Sequence, residues 1–176
     1  MEWAANCGGS SIRGSPMGTI EQRLRDLGII LPDFGTSGYY GANYGTMKAH
    51  HQVGKLLFLS GHVPEQNGIV VHAGKLGENV SIEQGYAAAR LTAINCLAGI
   101  KYAIGDLDRV AGIVRSLCFV ACTPSFLDVH RVSSGATDLF AEVFGEERGI
   151  GGRATIGVVS LYKNHCFEIW LTVEVA

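Results

Sequence analysis

The segment Ser81–Ile104 constrains the fold most. Tyr86, Ala89, Ala93, Leu97, Ile100 and Ile104 recur at spacings of three and four. They form one apolar stripe along a helix. Ser81 and Gln84 are spaced as a capping box at its start, and Gly105 stops it. Ala87, Ala88, Ala89 and Ala93 carry almost no side chain, so the backbone can come close to a partner layer. A helix of this kind has to lie on a sheet.

The remaining pattern supplies that sheet. Ile113–Cys122 (IVRSLCFVAC) is apolar and β-branched, which suits a central strand. In Cys166–Val175 (CFEIWLTVEV), Phe167, Ile169, Leu171, Val173 and Val175 alternate with Glu168, Trp170, Thr172 and Glu174. One set faces the core and the other set faces away. Ala154–Leu161 reads as its hairpin partner across the polar connection 162–165. Lys55–Ser60 (KLLFLS) and Gly68–Ala73 (GIVVHA) read as a second hairpin turning at Asn67-Gly68. A second long helix is expected over Asp128–Phe144, with Val132, Ala136, Leu139 and Val143 on one side. A short helix, Thr19–Leu27, is capped by Thr19 and ended by Gly28. Gly35–Tyr44 reads as a loop, and the Gly/Ser-rich residues 1–17 as a flexible N-terminal extension preceding one domain, 18–176.

The expected class is therefore α+β, a mixed β-sheet with two helices on one face. Its other face would carry Leu and Trp positions as well as charges, and a broad apolar face left in water is a liability. Charged residues make up only 17 % of the 176 residues, below the usual quarter or so. Both facts point to burial against identical subunits. The net charge of −2 gives no reason to expect nucleic acid or a membrane as partner. Five cysteines without a CxxC spacing fit buried thiols in a reducing compartment. No apolar run approaches a membrane span. A cytoplasmic location is expected, with organellar targeting by the N-terminal extension left open.

Three stretches together resemble the Rid/YjgF family: LFLSGHVPEQNGIVVHAGKLG, SIEQGYAAARLTAINCLAGIKYAIGDLDRV and GRATIGVVSL…FEIWLTVEVA. Asn95, Gly105, Asp106, Leu107 and Val110 stand where that family's helix pattern places them. The GKLG motif and the start Leu27–Pro32 resemble a less-characterised subgroup. The resemblance covers roughly 17–176. It implies the chorismate-mutase-like fold, a homotrimer with clefts between subunits, and no metal or organic cofactor. It also implies hydrolysis of reactive enamines and imines of amino acids to 2-oxo acids and ammonia, with a small carboxylate ligand.

By that resemblance Arg153 grips the substrate carboxylate, for which a planar guanidinium is geometrically suited. Glu168 helps position water, together with the main-chain carbonyl of Thr155. Ser60 and Gly61 match the family's Ser-Gly pair at the cleft. The pattern also departs from the family's. Well-characterised deaminases carry a tyrosine thirteen residues before that serine. Here Met47 takes the place, with Tyr44 nearby. A family asparagine near the start of the second long helix corresponds to Ser134, and Gly151-Gly152 replace bulkier residues before the arginine. An arginine without its supporting residues still binds carboxylates and need not hydrolyse them.

A hairpin turning near Lys163 would set Arg153 opposite Val173, leaving Glu168 roughly 16 Å away along the strand. The two could then share a small ligand only across a subunit boundary. Three functions follow: an imine/enamine deaminase, a non-catalytic carboxylate binder with regulatory or chaperone-like duties, and the endoribonuclease often ascribed to the family. The low positive charge speaks against the last. His50, His51, His62 and His72 match no zinc spacing.

Overall fold

A computed structural model describes residues 19–39, 41 and 45–176. The expectations for residues 1–17 and for Tyr44 fall outside the described residues. In chain order the elements are α1 (Thr19–Asp26), α2 (Phe34–Ser37), β1 (His50–Val53), β2 (Leu56–Leu59), β3 (Glu65–Gln66), β4 (Ile69–Val70) and α3 (Ile82–Ile104). They continue with β5 (Val110–Ala121), α4 (Val129–Phe144), α5 (Glu146–Gly149), β6 (Gly152–Val158) and β7 (Phe167–Val175).

β1, β2, β7, β5 and β6 form a five-stranded sheet in that order. It is mixed, because β6 runs parallel to β5 while the other neighbours are antiparallel. α3 and α4 pack on one face of it. Along the predicted stripes, Ala89, Ala93, Leu97, Ile100 and Ile104 on α3 are buried, as are Val132, Ala136, Leu139 and Val143 on α4, while Tyr86 is only half-buried and donates its hydroxyl to Asp138. The Ser81/Gln84 capping box forms. β7 alternates as its sequence demands, with all five odd-numbered positions from Phe167 to Val175 buried. Its other side, with Trp170, joins Phe58 and Ile156 on an open face where these three remain 52 %, 42 % and 46 % exposed.

Four local expectations need correcting. First, β6 and β7 do not form a hairpin. β5 lies between them, and the chain after β6 crosses the end of β5 to reach its far side. Parallel pairing with β5 sets Arg153 and Thr155 of β6 beside α4. Second, the Asn67-Gly68 turn exists, with φ of 52° and 79°, but it joins only the two-residue strands β3 and β4. β2 pairs instead with β1, a strand with no clear sequence signal because His50–Val53 (HHQV) is short and largely polar. Third, Thr19 does not cap α1. The Asp108 carboxylate does, accepting from the Thr19 hydroxyl and the Ile20 N–H at 3.0 Å each. Fourth, part of the supposed loop is α2, whose N-cap Asp33 accepts from Gly35 and Thr36.

Gly151 has a steric reason to be glycine. A Cβ there would sit 2.2 Å from the Ile113 carbonyl oxygen, so bulk is excluded where β6 enters the sheet. Among the described residues no helix is long and apolar enough to cross a membrane. The described cysteines, Cys96, Cys118, Cys122 and Cys166, are free and buried.

Candidate functional site

The expected site residues fall into two groups on opposite faces of the sheet. The first surrounds Arg153. Arg153 and Thr155 share a side of β6, and Thr155 is in register with the buried Cys118 of β5. That side faces α4. Arg153 Nη1 donates to Thr137 Oγ1 at 2.9 Å and to Ser134 Oγ at 3.3 Å. Thr155 Oγ1 lies 2.7 Å from Ser133 Oγ. One turn of α4 thus presents hydroxyls to β6, and the guanidinium is held while its side chain stays exposed. Ser134, expected at the position of a family asparagine, contacts Arg153.

The second group surrounds Glu168 on the open face. Phe58 pairs with Thr172, yet His62 bridges to Ile169. Four steps on one strand match three on the other, so the chain bulges at Ser60-Gly61. His62 N and O bond to Ile169 at 3.0 and 2.9 Å, and this fixes Gly61 above Glu168. The Ser60 hydroxyl donates to the Lys48 carbonyl, which brings Met47 to the same place. Tyr39 Oη donates to the Gly61 carbonyl at 2.9 Å. The result is a cavity of about 690 Å³ lined by Met47, Ser60, Gly61, Tyr162, Glu168 and Trp170 among others.

Glu168 is half-buried there, and burial pushes its carboxyl above the ordinary glutamate range. The Trp170 indole N–H donates to Oε1 at 2.7 Å, which favours the charged form and partly offsets that rise. Beneath the bulge, His62 is wholly buried. Its Nδ1–H donates to the Ser60 carbonyl at 2.7 Å, and burial pulls its pKa down to about 4. It is therefore a neutral structural imidazole at physiological pH.

Within one chain the two groups cannot meet on a small ligand. Arg153 is in register with Ser116, which is in register with Leu171, three residues from Glu168. Two strand spacings and three residues put their backbones roughly 14 Å apart, and their side chains leave opposite faces. The corrected topology thus preserves the separation that a hairpin would also have produced. Thr137, Ser133, Tyr39, Tyr162 and Trp170 were not foreseen as site residues. For Trp170 a signal existed, since the i, i+2 spacing puts it on the Glu168 side of β7.

The family described as "YjgF/chorismate mutase-like, putative endoribonuclease" matches residues 21–171. "Protein TCP17" of Trypanosoma cruzi is 34 % identical over 89 % of this chain and 94 % of its own. The crystal structure of Atu1372 from Agrobacterium tumefaciens, a protein of unknown function, is 34 % identical. It superposes with a TM-score of 0.79 over 90 % of this chain and 94 % of its own. The crystal structure of a putative endoribonuclease from Shewanella oneidensis is 29 % identical and superposes with a TM-score of 0.80 over 89 % of this chain and 99 % of its own. Escherichia coli TdcF, solved with bound serine, shares the fold at 19 % identity and a TM-score of 0.54, over 75 % and 90 %. On the extent of these matches, this chain belongs to the YjgF (Rid) family.

Proposed function

We propose that the protein hydrolyses reactive 2-imino and enamine acids to 2-oxo acids and ammonia, at clefts formed where Arg153 of one subunit meets Glu168 of the next in a homotrimer. The observation that carries this reading is the division of the site. A held cation and a half-buried acid sit on opposite faces of one sheet, each beside exposed surface. A second copy of the chain brings such halves together. TdcF, of the same fold, was solved with an amino acid bound, which is consistent with a small carboxylate ligand.

The chemistry follows from the groups. Arg153 takes the substrate carboxylate with two parallel N–H···O bonds. Glu168 accepts a proton from water as the oxygen adds to the imine carbon, with the Thr155 carbonyl orienting that water. The carboxyl then returns a proton to the nitrogen. The carboxylate next takes the proton of the new hydroxyl and delivers it to the nitrogen as the C–N bond breaks, so that the carbonyl forms and ammonia leaves. A carboxyl whose pKa burial raises above the ordinary glutamate range is the better suited to these proton transfers.

A binder without catalysis is the second reading. It is favoured by Met47 at the cavity, where deaminases of the family carry tyrosine, and by Ser134 in place of asparagine. An amino acid oxidase generating iminopropionate separates the two. Wild-type protein should speed its decay, and Arg153→Ala should not. If wild type leaves the uncatalysed rate unchanged while still binding 2-oxo acids by calorimetry, the binder is correct.

A further inference from the structure

Resting on the deaminase reading of the Glu168 cavity, we infer that Trp170 is a positioning residue that fixes the Glu168 carboxylate through its indole N–H. Three observations converge on it. The N–H donates to Oε1 at 2.7 Å. The ring packs on Phe119 of β5 with centroids 5.1 Å apart, which favours the rotamer that aims the donor at Glu168. Gly61 closes the opposite side: a Cβ there would lie 2.2 Å from Glu168 Oε1 and 3.2 Å from the indole nitrogen. The carboxylate is thereby clamped between a backbone surface and an N–H donor, with the aromatic pair behind it.

An exposed, hydrophobic tryptophan on a strand face has an evident use if it aims a carboxylate. A ring anchored by packing loses little entropy on making its bond. The bond also has an electrostatic consequence. The indole stabilises the carboxylate against the burial that favours the neutral acid. Among the cavity's described lining residues the other titratable side chain is Tyr162. Phe119, in register with Glu168 on β5, carries no charge. The indole is thus the polar group set directly against the acid.

The test is the titration of Glu168, followed by its side-chain carboxyl carbon in NMR, in wild type and in Trp170→Phe. Phenylalanine keeps an aromatic ring beside Phe119 and removes the N–H. The midpoint should move to higher pH in the variant. The acid limb of the kcat/KM profile for iminopropionate should move with it, and kcat/KM at neutral pH should fall roughly 10- to 100-fold, as for a lost bond to a charged group. In wild type, the indole N–H resonance of Trp170 should titrate with the same midpoint as the Glu168 carbon, which needs no variant. An unmoved carboxyl midpoint in Trp170→Phe, or an indole resonance blind to Glu168, overturns the inference. Wild-type protein that shows both NMR signatures but no deamination counts against the deaminase reading alone.

Discussion

Gly61→Ala tests the local geometry of the site sharply. The backbone at Gly61 is not in the left-handed region, so alanine is tolerated conformationally. What it adds is one methyl group, 2.2 Å from Glu168 Oε1 where ordinary contact begins near 3.4 Å. The carboxylate must therefore retreat by roughly 1 Å, a misplacement that can cost on the order of 100-fold in rate. In retreating it also gives up its 2.7 Å bond to Trp170. Because Glu168 is only half-buried, it can rotate away, and the fold should lose no more than about 1 kcal/mol. Binding of a 2-oxo acid should survive, since Arg153 lies on the other face. The assay pairs kcat/KM for oxidase-generated iminopropionate with urea unfolding and calorimetry. Activity within a few-fold of wild type would refute the clamped carboxylate. A collapse of stability would show instead that Gly61 serves the fold.

Other outcomes follow from the same geometry. Arg153→Lys keeps the charge but loses the planar fork, so 2-oxo acid affinity should weaken by roughly 10- to 100-fold in calorimetry. Asn95 is buried and its Nδ2 donates to the Val63 and Glu65 carbonyls at 2.9 Å each. Asn95→Ala strands two acceptors and should cost about 2–4 kcal/mol in urea unfolding. Burial lowers His62 to about 4, so as pH falls below 6.5 the unfolded chain takes up a proton that the folded chain refuses. Stability should drop by about 2 kcal/mol between pH 7 and pH 5 from this group, and His62→Gln should flatten that slope. Glu168 is raised instead. The folded state binds the extra proton, and stability falls as pH rises through the window above the ordinary glutamate pKa. Glu168→Gln should therefore be at least as stable as wild type at neutral pH while losing hydrolysis.

The features legible in the sequence are those set by neighbours along the chain. The Ser81/Gln84 box, the α3 and α4 stripes and the β7 alternation depend on local periodicity, and all appear in the structure. Strand order does not. A four-residue polar connection between two strands reads as a hairpin by default, yet β5 pairs with both β6 and β7 because its apolar run is fit for the sheet centre. The same limit governed the site. Family resemblance could indicate Arg153 and Glu168. It could not indicate Thr137, because that hydroxyl matters only once β6 lies along α4. Nor could it place Ser60-Gly61 on a bulge, which arises from a register difference between two distant strands.

Subunit mixing tests the divided site most directly. Arg153→Ala and Glu168→Gln chains, each inactive alone, are unfolded together in equal amounts, refolded and assayed for iminopropionate hydrolysis. Random assembly gives each cleft an intact arginine from one parent and an intact glutamate from the other about one time in four, so about a quarter of wild-type activity should return. A mixture as inactive as its parents, prepared alongside wild type that refolds to full activity, would contradict a site shared between subunits.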